Sequence, residues 1–255
     1  IHEAFAEPLA LDDQKLFIAP KAPPEKIEER PPKVPSDGKN MIWIPGYWAW
    51  DDEREDYIWV SGVWRNVPQG RSWVPGLWEQ LDGGYRWSPG YWGPANTQAQ
   101  HVPTLPPESL ESGPTSEPAS DDVFWIPGCW RYLDQRYVWR PGFWSPCHDN
   151  WVWVPDNYVY GVSGCRYVSG YWDYGWEHRG TLYAPAYIDH VAYARPGCFY
   201  TPSVVIDVVG AFSHLWVRPQ YCHYYFGDYY DIGYVSGGYW PWYSYHRPYW
   251  RKYDP

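Results

Sequence analysis

Five cysteines, at 129, 147, 165, 198 and 222, and eight histidines are the side chains best suited to hold a metal or attack a substrate. No two cysteines stand in a CxxC spacing, so neither a zinc ribbon nor a thioredoxin-type redox pair is indicated. Cys147-His148 and Cys222-His223 each put two donors side by side, but the C-x2–4-C and H-x3–5-H spacings of a zinc site are missing. The acidic run DDERED (51–56) lacks the Asp-x-Asp-x-Asp-Gly order of a calcium loop and reads as a solvated hairpin tip. GVSGC (161–165) ends in Cys where a nucleophile elbow needs Gly. Nothing singles out, among thirty Asp and Glu, the two carboxylates that glycoside cleavage takes. We assign no catalytic residue, no metal ligand and no cofactor, and expect no enzyme.

The chemistry that remains is that of flat rings, 21 Trp and 26 Tyr. They are spaced by a repeat. The hexapeptide Trp-x-(Pro/Ser)-Gly-x-Trp occurs as WIPGYW (43–48), WVSGVW (59–64), WVPGLW (73–78) and WSPGYW (87–92). It resumes as WIPGCW (125–130) and WRPGFW (139–144), then as WVPDNY (153–158), which departs from the pattern, and YVSGYW (167–172). Four copies followed by four copies is a duplication, offset by 82 residues for the first pair (43 to 125) and by 80 for the other three. The difference lies in the first connection, ten residues (49–58) where every later one is eight.

These connections carry a hairpin signature. EQLDGGYR (79–86) is centred on Asp82-Gly83, a favoured type I′ pair. Folding about it sets Trp78 opposite Trp87, Glu79 opposite Arg86 and Gln80 opposite Tyr85. The same arithmetic sets Trp130 opposite Trp139, Tyr132 opposite Tyr137, Trp48 opposite Trp59 and Trp50 opposite Tyr57. Cross-strand ring pairs of this kind contribute roughly 0.2–1 kcal/mol each. The Pro-Gly steps fit either a tight turn or a bend carrying a strand round a corner. A type II turn splays hairpin strands, so the bend, with Trp rings packed over the Gly, is the favoured reading.

Aromatic residues make up 21% of the chain within a hydrophobic total of 45%, so nearly half of the apolar side chains are rings. Rings on the repeat grid are therefore needed as core. Rings off the grid are the candidates for binding or interface: Trp50, Trp151, Trp176, Trp240, Trp242 and Trp250. The stretch GGYWPWYSYHRPYWRKY (237–253) is the densest. Dense exposed rings mark a partner surface more often than a sugar site.

With 23 Gly and 28 Pro, long helices are excluded. The fold expected is all-β: two duplicated antiparallel hairpin modules plus an irregular Tyr/Pro-rich C-terminal lobe. The divisions are an extended, Pro-rich N-terminal segment (1–40), the first module (41–92), a linker (93–122), the second module (123–172) and the C-terminal lobe (173–255). Residues 19–40 read as extended or disordered, and the linker as a strand of chain that can lie over a module surface. Residues 207–216 accommodate one short helix, and the tail either stands alone or caps the second module. A net charge of −10 argues against nucleic acid and against anionic membrane surfaces. No apolar run reaches membrane-helix length; the longest, 204–212, is broken by Asp207 and Gly210. The chain opens at Ile1 without a visible leader, so either a leader has been removed or a longer chain continues upstream.

The WxPGxW array, its second copy beyond a linker, and the tail pieces YARPG (193–197), YTPS (200–203), VRP (217–219) and HYYFGDYY (223–230) resemble the YXWGXW/WXXGXW repeat proteins, exported bacterial proteins frequent in planctomycete-type bacteria. The resemblance spans about residues 28–235 and implies an exported protein of the envelope, cell surface or extracellular space, with no enzymatic activity to carry over. In an exported chain the cysteines are expected as disulfides, Cys198 with Cys222 and Cys147 with Cys165. Cys129 is then left free or available to a neighbouring chain. The function expected is that of a structural or interaction protein, a subunit of a larger surface assembly whose partners are itself or other envelope proteins. The alternative is a carbohydrate- or peptidoglycan-binding module using the off-grid Trp rings. A polysaccharide is thus the second candidate partner, and no membrane-spanning helix is expected.

Overall fold

The computed structural model describes residues 1–8, 18–35, 41–120, 122–161, 164–193, 195–218, 223–242 and 244. Each pair of hexapeptides forms one long antiparallel hairpin, bent at the middle. In the first, β1 (Met41–Ile44) and β2 (Tyr47–Asp51) return as β3 (Asp56–Val60) and β4 (Val63–Asn66). β2 pairs with β3 and sets Trp48 opposite Trp59; β1 pairs with β4 and sets Trp43 opposite Trp64. The second hairpin has β5 (Arg71–Val74), β6 (Leu77–Leu81), β7 (Gly84–Ser88) and β8 (Tyr91–Pro94), with Trp78 opposite Trp87 and Trp73 opposite Trp92. β9 (Gln100–Val102) follows. The third comprises β10 (Val123–Ile126), β11 (Cys129–Leu133), β12 (Arg136–Arg140) and β13 (Phe143–Pro146). The fourth comprises β14 (Trp151–Val154), β15 (Asn157–Gly161), β16 (Gly164–Val168) and β17 (Tyr171–Tyr174). All-β architecture and every cross-strand pair read from the sequence stand.

The Pro-Gly steps are bends. A turn at Pro45-Gly46 would close Trp43 onto Trp48, whereas Trp43 lies opposite Trp64, on the returning strand. At each bend two hexapeptides face each other, and the first Trp of one covers the Gly of the other. A Cβ on Gly76 would overlap Trp87 Cζ2 and come within 2.8 Å of Ser88 O and Gly90 N. Only glycine admits this approach. Hairpins form at alternate connections only. The equally long joins 65–72 and 145–152 contain Pro68 and Pro146, and there the chain passes to the next hairpin. The tips also differ from expectation. Asp134 (φ 48°) and Gln135 (φ 62°) take the two left-handed positions of a type I′ loop, while at 82–83 only Gly83 (φ 97°) does.

The segments outside the grid are ordered on it. Residues 1–7 fill the centre of the molecule: Ala4 and Phe5 are fully buried, packed with Ile44, Val63, Trp92, Val154 and Trp176. Around them a buried charge network closes. Arg65 of β4 donates to both oxygens of Asp173 on β17, and Arg179 donates to Glu7. An N-terminal segment extended along its whole length is thus corrected for residues 1–7, whose apolar side chains (Ile1, Ala4, Phe5 and Ala6) complete a core that the hairpins leave short of aliphatic groups.

The C-terminal region adds strands to the first module, and its Leu215, Val217 and Trp242 share one core with Ile44 and Val63 of the first module and Val154 and Tyr171 of the second. β18 (Gly180–Tyr183) pairs with β4, and β19 (Val205–Ile206) pairs with β18. β20 (Leu215–Arg218), β21 (His223–Phe226) and β22 (Trp240–Pro241) form a three-stranded sheet. The expected short helix appears at Val208–Ala211. Arg218 pairs with Asp52, and the Tyr187 hydroxyl donates to Asp51 at 2.7 Å. The acidic tip of the first hairpin is therefore held by the tail at Asp51 and Asp52, and the exposed Glu53 and Arg54 beyond them still meet Tyr239 and the Tyr187 ring. Among the described residues no helix is long and apolar enough to cross a membrane.

Candidate functional site

Bending a two-stranded ribbon at facing glycines turns backbone N–H groups out of the ladder and toward one side. A carboxylate of this chain sits on each of the four bends. On the first, Glu29 Oε2 accepts from Gly46 N–H (2.7 Å), and Oε1 accepts from Gly62 N–H (3.0 Å) and from the Trp59 indole N–H (3.0 Å). On the second, Glu3 accepts from Gly90 N–H (2.9 Å) and the Trp87 indole (2.5 Å). On the third, Glu111 accepts from Gly128 N–H and the Trp125 indole. The fourth bend has no glycine on one strand: Asp156 stands there, in the degenerate WVPDNY copy, and its own carboxylate takes the Gly170 N–H. The fourth hairpin carries in place what the others receive from a distant segment.

Burial raises the Glu3 carboxyl to about 7 and raises that of Glu29, against the N–H donors that favour the charged forms. Burial also pushes Asp156 up, but the Tyr167 hydroxyl and the Arg140 guanidinium outweigh it and hold Asp156 below its ordinary value. Arg140 Nη2 lies 2.6 Å from Asp156, which ties the third hairpin to the fourth.

The second Trp of the first six hexapeptides does different work, because its indole N–H reaches a carbonyl outside its own hairpin. Trp48 and Trp64 donate to Glu25 O and Pro32 O; Trp130 and Trp144 donate to Glu108 O and Ser116 O. The tip tyrosines Tyr57 and Tyr137 donate to Lys21 O and Thr104 O. Each module thus grips one extended, proline-rich strap, residues 19–32 in the first and 100–116 in the second. Each strap begins as an added strand on the second hairpin of its module: Ala19 bridges Tyr85, and β9 pairs with β16 at Val102 and Cys165. The duplication therefore includes the straps. Proline suits them, since a segment held through its carbonyls needs few N–H donors of its own. Trp92 captures Ala4 O in the same way and fixes residues 1–7.

The residues singled out from the sequence fall apart in space. Trp50, Trp176 and Trp242 are buried, so their selection as binding rings is corrected. Trp50 packs edge-on to Tyr57, and Trp176 edge-on to Trp242 and Phe5, in a chain that builds its core from rings. Trp151 is half-buried and stacked on Tyr174 at 4.5 Å. Trp240 is exposed. Trp250 and Cys222 lie outside the described residues. Cys129, Cys147, Cys165 and Cys198 are free thiols, so the pairing of Cys147 with Cys165 is not made: Cys165 is enclosed between Tyr160 and the β9 strand, while Cys147 is exposed beyond β13. Burial raises the Cys165 and Cys129 thiols above their ordinary value. Among the described residues no cluster of three metal-ligating side chains occurs.

The capping carboxylates went unnoticed in the sequence, yet a signal exists. Glu29 and Glu111 each precede their Gly by 17 residues, in PPEKIEE (23–29) and PPESLE (106–111).

Bent aromatic hairpins in tandem, the first three of them gripping other segments of the chain through indole N–H groups and a capped bend, define an all-β repeat protein. The family model described as the WXXGXW repeat (2 copies) matches residues 38–65, 54–79, 82–103, 122–145 and 137–161, so both modules carry the WXXGXW repeat. No curated protein and no solved structure matches it.

Proposed function

We propose that this chain is a structural and interaction protein of the bacterial cell envelope or extracellular space, exported and built into a larger surface assembly with copies of itself or other envelope proteins. The observation that carries the reading is the use made of the repeat: its glycine N–H groups, indole N–H groups and tyrosine hydroxyls hold extended polypeptide. Such a unit recognises backbone carbonyls and a carboxylate and tolerates proline, which suits it to binding protein segments. Burial of Trp50, Trp176 and Trp242 removes three of the six rings a sugar-binding reading needs.

The test is the native mass of the protein purified without detergent, by light scattering, with and without reductant. A defined oligomer is expected, loosened by reductant where the exposed Cys147 joins chains. A 30.1 kDa monomer in both conditions overturns the assembly reading.

A further inference from the structure

The duplication makes the two modules controls for each other, and one edge differs. In the first hairpin the outer edge of β3 and β4 is covered. Trp59 exchanges both backbone hydrogen bonds with Ala186 (3.0 and 2.9 Å), Thr181 lies opposite Trp64, Gly180 opposite Arg65, and Asn66 N–H donates to Arg179 O. Ser61 Oγ donates to Ala184 O. Residues 180–186 (GTLYAPA) so form an added strand that follows the hairpin round its bend. Beneath it residues 59–63 are all buried, with Trp59 and Val63 at 0% exposure.

The offset of 80 carries this edge onto β12 and β13 of the third hairpin. There Trp139, Phe143 and Trp144 take the places of Trp59, Val63 and Trp64. Among the described residues β12 and β13 pair only within their own hairpin. Phe143 is 47% and Val138 is 38% exposed, and Leu133 at the tip is exposed beside them. An open strand edge with an apolar rim is a template for another strand.

We propose that the outer edge of β12–β13 accepts an extended, uncharged segment from another polypeptide chain, of the chemistry of residues 180–186: small where it crosses the Pro141-Gly142 bend, apolar or aromatic on either side. This rests on reading the chain as an interaction protein and names the surface and partner class. The occupant follows from the substitutions between modules. Ser145 replaces Arg65, so the buried cation that Asp173 neutralises in the first hairpin has no counterpart, and an added strand needs no charge. Pro141 replaces Ser61 and offers no hydroxyl, and Pro146 replaces Asn66 and offers no N–H. Pairing is therefore confined to Trp139 and Trp144, a shorter ladder than the intramolecular one and one suited to a reversible partner.

The experiment titrates the full chain into a fluorescently labelled GTLYAPA peptide by anisotropy and maps the site by amide exchange. Saturable binding is expected, with slower exchange at Trp139 and Trp144 and at least tenfold weaker affinity in Phe143→Lys. The Val138→Lys variant, on the same rim, is expected to weaken binding in the same direction should Phe143→Lys disturb the hairpin. No saturable binding, binding unchanged by both variants, or protection confined to 59–64 overturns the proposal. A defined oligomer in the native-mass experiment alongside no peptide binding would reject this edge and leave the assembly reading standing.

Discussion

Replacing Glu29 by alanine removes the carboxylate from the first bend and leaves three donors without their acceptor: Gly46 N–H, Gly62 N–H and the Trp59 indole. All three belong to buried residues. An unsatisfied buried donor costs about 1–3 kcal/mol. Glu29 itself is only half-buried, so water can enter the vacated space and the low end applies, giving about 3 kcal/mol in all. For a chain of this size that lowers Tm by roughly 6–12 °C. Glu29→Gln keeps an oxygen for Gly62 and Trp59 but sets an amide NH2 against Gly46 N–H, a loss of about 1–2 kcal/mol. Burial raises the Glu29 carboxyl, so its charge is not the source of stability and glutamine should cost less than alanine. The neighbouring Glu28 is the control. It pairs with Arg30 at 2.9 Å with both side chains more than half exposed, and such pairs contribute about 0–1 kcal/mol. Urea midpoints read by Trp fluorescence at pH 7 should rank wild type and Glu28→Ala together, then Glu29→Gln, then Glu29→Ala. Equal midpoints for Glu28→Ala and Glu29→Ala, or glutamine as damaging as alanine, would refute the capping argument.

Two further outcomes follow from the same geometry. Gly76→Ala meets Ser88 O, Gly90 N and the Trp87 ring at a crowded bend, and is expected to destabilise by about 3 kcal/mol or more in thermal melts. Gly83→Ala at an open tip (φ 97°) should cost only about 1–2 kcal/mol. The second outcome concerns pH. Burial raises Glu3 to about 7 and lowers His2 to about 4. The Glu3 contribution is present below its unfolded value near 4.5 and is lost as pH rises through 7; that of His2 is present above 6.5 and is lost as pH falls through 4. Between about pH 4.5 and 6.5 their slopes of about 1.4 kcal/mol per pH unit oppose each other, and this pair adds no net slope. Relative to wild type, Glu3→Gln should lose stability on acidification over that window and His2→Asn on alkalinisation. Urea midpoints at four pH values check both signs, and parallel profiles for the two variants would reject the assignment.

The hairpins were legible because their determinants are local. A two-residue loop and a four-then-eight Trp spacing fix Trp78 against Trp87 and Trp48 against Trp59, whereas the Pro-Gly steps fitted a turn as well as a bend until the register of Trp43 with Trp64 decided for the bend. The carboxylate caps were not, because Glu29 acts across 17 residues and Glu3 across 87, and a Glu in a proline-rich stretch looks solvated. Trp50 and Trp242 misled for a related reason. An indole can be core, donor or surface anchor, and only tertiary context separates these roles. Residues 1–7 are too short and too mixed to announce themselves as core, yet their place between the modules makes Phe5 one of the most buried side chains.

The central claim, that each bend is held by its own carboxylate, is tested most directly by residue-resolved amide exchange at Gly46, Gly62, Gly90 and Gly128 in wild type and Glu29→Ala. The account predicts slow exchange at all four in wild type, with Gly46 and Gly62 accelerated in the variant and Gly90 and Gly128, held by Glu3 and Glu111, unchanged. Unprotected glycine amides in the wild-type protein, or all four accelerated together in the variant, would contradict it.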